Sequence, residues 1–421
     1  MQPKTAVIIG AGDRGARAYA PYALDYPNEL KIVAVAEPNK ERRERVCQSH
    51  LISPENSFSN WDNLLEKDKL ADIAIICTMD QEHFKPTMKA LELGYHVLLE
   101  KPMSPEPLEC VEMERAAKKY NRQLTICHVL RYTEFWSTIK KVIDEGMIGD
   151  IASIQLNENV EIMHMSHSFV RGNWRNKELS SPMILQKSCH DMDIISYVLG
   201  EKCERISSYG SLMHFKKENA PIGAPERCLD GCPAELECPF HAGRYYLGEG
   251  RGWARKFTED DSNEGIINAL HTTNYGKCVY QLDNNVVDHQ VVNMEFESGA
   301  TATFSMSGFT REQTRIVQIM GTKGEIRGNM EENSISIFDF LTRHESIVKF
   351  DKPVGGHGGG DRAIVRTFLK DIDKEQHESK SSASDSLRSH LMAFAAEESR
   401  LQKGRSVNLN EYYDSLAKTG Q

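Results

Sequence analysis

The chain opens with a strand, a glycine-rich turn, a helix and a second strand, an order that few architectures other than a doubly wound sheet accept. The apolar run Ala6-Val7-Ile8-Ile9 meets Gly10-Ala11-Gly12-Asp13-Arg14-Gly15, and a second apolar run, Ile32-Val33-Ala34-Val35-Ala36, ends on Glu37. In such a turn the first glycine takes the tight bend, the second lets the backbone approach a pyrophosphate, and the third lets the helix pack against the sheet. The helix start, with Asp13 and Arg14 in it, offers unpaired N–H groups and a positive dipole end to phosphates. Glu37 stands 22 positions after Gly15, where it can accept hydrogen bonds from the adenosine 2′-hydroxyl and repel a 2′-phosphate, which favours NAD over NADP. Arg42 and Arg43, a turn later, pull the other way.

The first third of the chain continues the alternation. Charged, helix-like residues 38–50 precede the buried run Ile73-Ala74-Ile75-Ile76; an amphipathic stretch over 81–93 leads to His96-Val97-Leu98-Leu99, and a helical pattern over 106–120 to Gln123-Leu124-Thr125-Ile126. Strands separated by helices of this length predict a parallel sheet ending near Cys127. Beyond it the pattern changes to alternating strands over 151–161, 286–309 and 315–328, with helices near 134–145, 188–199 and 361–375, which predicts a mainly antiparallel sheet. The expected fold class is α/β: a Rossmann domain over 1–127, then an α+β substrate and oligomerisation domain over 128–421 with a Cys-rich insertion at about 204–278. Lys380 to Ser386 reads as a solvated loop or helix entry.

At 421 residues the chain suits two domains. A net charge of -10 argues against nucleic acid or an anionic membrane as partner. No apolar run is long enough to span a bilayer, and the first strand begins too close to Met1 for a signal peptide. A cytoplasmic setting is therefore expected, with the ten cysteines mostly reduced.

Four features together, the glycine turn, His83, Glu100-Lys101-Pro102 after a strand, and His190-Asp191-Met192-Asp193, resemble the Gfo/Idh/MocA oxidoreductases over essentially the whole chain. The resemblance implies that His83 and Glu100 belong to the cofactor site, that Lys101 contacts the nicotinamide ribose and the substrate, and that a cis bond precedes Pro102. It also implies that His190 exchanges a proton with the reacting hydroxyl. The usual Asp-x-x-x-His reads Gln186-Lys187-Ser188-Cys189-His190 here, so the aspartate is missing and a lysine stands beside its place. Histidine has a suitable intrinsic pKa for this work, whereas a lysine must be depressed by burial or a neighbouring cation. Lys101 and Lys187 converging on one pocket would each lower the other. Both His190 and Lys187 are thus acid–base candidates, while Asp191 and Asp193 cap the helix or orient neighbours.

Residues 164–175 carry His167, Arg171, Trp174 and Arg175, polar and aromatic equipment that suits a carbohydrate pocket, which Arg131 can join. His357, in a glycine-rich loop, is a further pocket candidate. Cys228, Cys232, Cys238 and His241 spell C-x3-C-x5-C-x2-H, a donor set for a structural zinc, with Cys278 as an alternative to His241 and an iron–sulfur centre as another use.

The expected activity is an NAD-dependent oxidoreductase that transfers a hydride between a secondary alcohol of a sugar, sugar derivative or inositol and the nicotinamide. The alternative is an NAD-dependent glycoside hydrolase working by transient oxidation, elimination and re-reduction. The resemblance also implies a homodimer or homotetramer formed through the second-domain sheet.

Overall fold

The computed structural model describes residues 2–351, 356–374 and 379–419. Strands β1 (Lys4–Ile9), β2 (Leu30–Ala36), β3 (Ser57–Phe58), β4 (Ile73–Ile76), β5 (His96–Leu99) and β6 (Leu124–Ile126) form a parallel sheet in the order β3-β2-β1-β4-β5-β6. The apolar runs are buried on both faces because helices cover both. The strand order reverses between β1 and β4, so a crevice opens at their carboxyl ends. Gly10 follows β1 there, and Glu100 follows β5.

The second sheet contains β7 (Ile151–Asn159), β8 (Cys203–Ser211), β9 (His289–Phe296), β10 (Thr301–Ser307), β11 (Thr314–Gly321), β12 (Gly324–Asn329), β13 (Ser334–Asp339), β14 (Glu345–Lys349) and β15 (Val407–Asn408). Their order is β14-β13-β12-β11-β7-β10-β9-β8-β15, and among the described pairs only β7 and β10 run parallel. Helices Cys189–Leu199 and Ala383–Leu401 cover one face. The strand alternation leaves Tyr209, Val291, Ile316 and Ile347 exposed.

Three details depart from the sequence reading. Residues 203–211 are strand β8, so the insertion occupies 212–288 rather than 204–278. It has a small core of its own in Cys228, Ala242, Tyr246, Ala254, Ile266 and Leu270. Secondly, the part of the chain after 127 returns to the first sheet: Ile364, Val365 and Phe368 of helix Gly360–Asp371 pack with Ala6, Ile8, Ile32 and Ile75. Burying such side chains contributes about 1.5–3 kcal/mol each. The segment from Lys380 to Ser386 is a helix entry, one of the two expectations for it, but it is not solvated throughout. Ser381 and Ser386 are fully buried, Ser381 Oγ donates to the Ile126 carbonyl at 2.8 Å, and Ser382 caps helix Ala383–Leu401 by accepting from the Asp385 amide.

Candidate active site

The glycine turn is built as a cradle. Gly10 has φ +89°, and a Cβ there would lie 2.5 Å from the Cys77 carbonyl oxygen; a Cβ on Gly15 would lie 2.0 Å from the Gly10 oxygen. A Cβ on Gly12 would meet nothing within 4 Å, so the second glycine faces open space where a pyrophosphate fits. Beneath it the Glu37 carboxylate accepts from the Ala11 amide at 2.7 Å and the Asn39 amide at 2.9 Å. Those bonds fix the carboxylate at the end of β2, where a ribose hydroxyl can reach its remaining lone pairs.

Arg14 projects from this turn into the crevice. Its Nε donates to Glu100 at 2.5 Å, and its other nitrogens donate to the Tyr19 hydroxyl at 2.5 Å and to Asp361 at 2.7 and 3.1 Å. His357 is hydrogen-bonded to Asp361 at 3.1 Å. Burial opposes ionisation of Glu100, but Arg14 and then Lys101 hold its carboxyl below the ordinary value. Burial likewise opposes the charge on Asp361, and bonds from His357 and Arg14 overcome it.

Next to Glu100, the Lys101–Pro102 peptide is cis. Lys101 Nζ donates to the Gln186 carbonyl at 2.6 Å, which sets the ammonium against the segment leading into helix Cys189–Leu199. His83 is buried, with Nδ1 at 2.7 Å from the Pro102 oxygen and Nε2 at 3.1 Å from the Thr78 oxygen. It braces the turn that carries Lys101 instead of reaching into the crevice.

His190 lies in the first turn of that helix, 5.9 Å between ring centroids from both His128 and His357. Burial, then the Lys101 ammonium, holds it well below the usual histidine pKa, so it is neutral near pH 7. Its buried Nδ1 has no hydrogen-bond partner among the described residues. A neutral imidazole beside an ammonium can accept a proton that the ammonium helps to loosen.

Lys187 is placed differently. Its Nζ is 3.2 Å from Glu158 on β7; Arg315 on β11 reaches the same carboxylate at 2.6 Å and Asp191 at 2.7 Å. Burial lowers the Lys187 pKa, with Arg315 and Lys101 adding to the effect and Glu158 opposing it. Neither aspartate of the helix caps it: Asp191 pairs with Arg315, and Asp193 accepts from Arg131 at 2.7 Å through both oxygens. Glu158 and Arg315 were not singled out from sequence; their one signal there is a charged residue at a buried position of an alternating strand.

The proposed carbohydrate-pocket residues are mostly occupied elsewhere. Arg131 is held by Asp193 and also donates to the Lys380 carbonyl. Arg171 is 1% exposed and donates to the carbonyls of Lys277 at 3.0 Å and Phe240 at 2.6 Å, which ties these two segments of the insertion together. Arg175 pairs with Asp283 at 2.6 Å. His167 is buried against Trp253 and Tyr275, with Nδ1 2.8 Å from the Tyr246 hydroxyl, and Trp174 packs near Phe169. His167, Arg171 and Arg175 thus anchor the insertion to the second domain through carbonyl, carboxylate and aromatic partners.

His241 is likewise committed: Nδ1 accepts from the Arg244 amide, and Nε2 lies 2.9 Å from the Cys228 oxygen. Arg227 and Lys277 form an antiparallel bridge that sets Cys228 opposite Gly276 and Cys278 opposite Glu226. Among the described residues no three His, Cys, Asp or Glu side chains converge closely enough to hold a metal ion.

Comparison with known proteins accounts for both halves of this architecture. Residues 4–128 match the NAD-binding Rossmann fold of an oxidoreductase family, GFO_IDH_MocA, and residues 140–409 match the C-terminal alpha/beta domain of the same family. The chain belongs to the Gfo/Idh/MocA oxidoreductases. Among curated members it is 26% identical over 330 residues to the putative oxidoreductase YteT of Bacillus subtilis (strain 168), covering 75% of this chain and 76% of that one. It is 27% identical to D-glucoside 3-dehydrogenase of Escherichia coli (strain K12), over 47% of this chain and 54% of that enzyme. A solved structure of levoglucosan dehydrogenase with NADH and levoglucosan superposes with a TM-score of 0.73 at 19% identity, covering 97% of this chain and 100% of the other. That likeness concerns the fold. No helix among the described residues is long and apolar enough to cross a membrane.

Proposed function

We propose that this Gfo/Idh/MocA member is an NAD-dependent dehydrogenase that oxidises a secondary alcohol of a sugar, sugar derivative or inositol. The observation that carries the reading is Lys101, bonded to the carbonyl of Gln186 four residues before His190, whose imidazole is held neutral by burial and then by the Lys101 ammonium. Gly10, Gly12, Gly15 and Glu37 hold the dinucleotide, with Asp13 and Arg14 at the helix start. When bound, the nicotinamide supplies the acceptor for the two electrons leaving the carbinol carbon. Lys101 Nζ donates a hydrogen bond to the carbinol oxygen and stabilises the negative charge that develops on it. His190 takes the hydroxyl proton.

Lys187 serves this pair as a neighbour, because its ammonium is engaged by Glu158. The sugar class rests on the relatives named above, whose substrates are a glucoside and an anhydrosugar. The exposed apolar row on the second sheet supports assembly with a second copy. The test is a panel of sugars, inositols and aryl glycosides with NAD, in which NADH absorbance and released aglycone are followed together. One NADH per oxidised product is expected; aglycone release without net NADH would replace the dehydrogenase with a redox-neutral glycosidase.

A further inference from the structure

The insertion reaches the first domain as well as the second. Residues 255–259 lie across the start of the glycine-turn helix and across helix Lys40–His50. Lys256 Nζ is 2.7 Å from Asp13, and Arg17 donates to the Arg255 carbonyl at 3.5 Å. The Glu259 carboxylate bridges two arginines of the first domain, 3.4 Å from Arg17 and 3.1 Å from Arg45.

These groups share one small cavity with Ala11, Gly12 and Arg42, and its lining carries five cations to two carboxylates. It lies on the side of the glycine turn where Glu37 ends β2 and Asn39 caps the helix bearing Arg42 and Arg45. An adenosine 2′-substituent is directed to this side of a Rossmann site, and an arginine there accommodates a 2′-phosphate. The first domain alone therefore gives mixed instructions: a carboxylate that selects the hydroxyl and arginines that welcome the phosphate.

We infer that Glu259, supplied by the insertion, sets the cofactor preference by occupying Arg17 and Arg45 and so denying them to a 2′-phosphate. Each partner in this bridge is about two-fifths exposed, so the pairs add little to stability. A phosphate dianion arriving beside the carboxylate, however, meets repulsion and loses both arginines. Glu37 and Glu259 act as two guards from different domains, and the insertion becomes part of the nucleotide site.

The inference rests on the glycine turn being a dinucleotide seat. Fluorescence titration of the full-length chain with NADH and with NADPH tests it, for the parent, Glu259→Gln, and Glu259→Gln combined with Arg45→Ala. The parent binds NADH in preference to NADPH. Glu259→Gln raises NADPH affinity relative to NADH about tenfold, on the order of one close charge pair near a protein surface, and Arg45→Ala removes the gain. Titration with adenosine 2′,5′-bisphosphate against ADP repeats the ratio without the nicotinamide. An unchanged ratio in Glu259→Gln, a gain that survives Arg45→Ala, or a parent that prefers NADPH would each overturn the inference. A parent that binds neither nucleotide would instead overturn the reading of the seat itself.

Discussion

Arg14 and Asp361 are 347 residues apart in the chain, yet the guanidinium donates to both carboxylate oxygens at 2.7 and 3.1 Å. The contact ties the glycine turn to the helix that returns from the second half of the chain, and Glu100 completes the grip from the end of β5. One arginine is therefore shared between an acid at the end of the first sheet and an acid of the returning helix. Asp361→Asn should destabilise the chain by about 1–3 kcal/mol, less than a fully buried pair because Arg14 is partly exposed. It should also weaken NADH binding. Denaturant midpoints and titrations check both effects, and an unchanged NADH affinity would detach this latch from the seat.

The three glycines of the turn should separate into two kinds. Alanine at Gly15 forces a Cβ to 2.0 Å from a backbone oxygen, which requires the helix to shift and should cost about 1–3 kcal/mol. Alanine at Gly12, where φ is -73° and space is open, should leave the melting temperature near the parent value. Its methyl enters the cradle, so NADH affinity should fall at least about tenfold. Thermal melts paired with titrations distinguish them; equal losses of stability would contradict the geometry.

The local parts of this fold were legible in the chain for a physical reason. A parallel strand buried on both faces must be a continuous apolar run, as Ile73–Ile76 is, and a glycine forced to positive φ, as Gly10 is, leaves an unambiguous turn. Lys101 and His190, the proposed catalytic pair, stand out in the sequence because they belong to short motifs. What escaped was set by distant partners. Strand β8 mixes Arg205, Ser207 and Ser208 with few apolar residues, and its place comes from pairing with β9. Arg171 reads from sequence as a ligand-binding cation because nothing nearby in the chain announces the carbonyls of Phe240 and Lys277 that hold it. His241 has the spacing of a metal ligand but the backbone contacts of a helix cap.

The buried histidines should make the molecule sensitive to acid. Burial, followed by Arg171 and Lys256, lowers the His167 pKa from 6.5 to about 3. The unfolded chain thus takes up this proton well before the folded chain does, and stability falls as pH drops below 6.5, by about 1.4 kcal/mol per pH unit for this residue alone. Urea midpoints at pH 7 and pH 5 should differ less in His167→Gln than in the parent. An identical slope would show that His167 has the same pKa in the folded and the unfolded chain.

Removing His190 and removing Lys187 should have opposite signatures. His190→Asn should lower turnover by about 10²–10⁴-fold, as expected for loss of a general base, with little change in melting temperature. Lys187→Met leaves Glu158 and Asp191 to a single arginine and should destabilise the chain by about 3 kcal/mol, as for a broken buried pair. A Lys187 variant that keeps its stability but loses turnover and its pH profile would exchange the two assignments.

The most direct measurement is a crystal structure of the chain soaked with NADH. The pyrophosphate is predicted over Gly12 and the nicotinamide ring at the carboxyl end of the first sheet, with its reactive carbon facing a gap bordered by Lys101 Nζ and the His190 imidazole. A ring directed away from those two side chains, or a nucleotide seated outside the glycine cradle, would contradict the account.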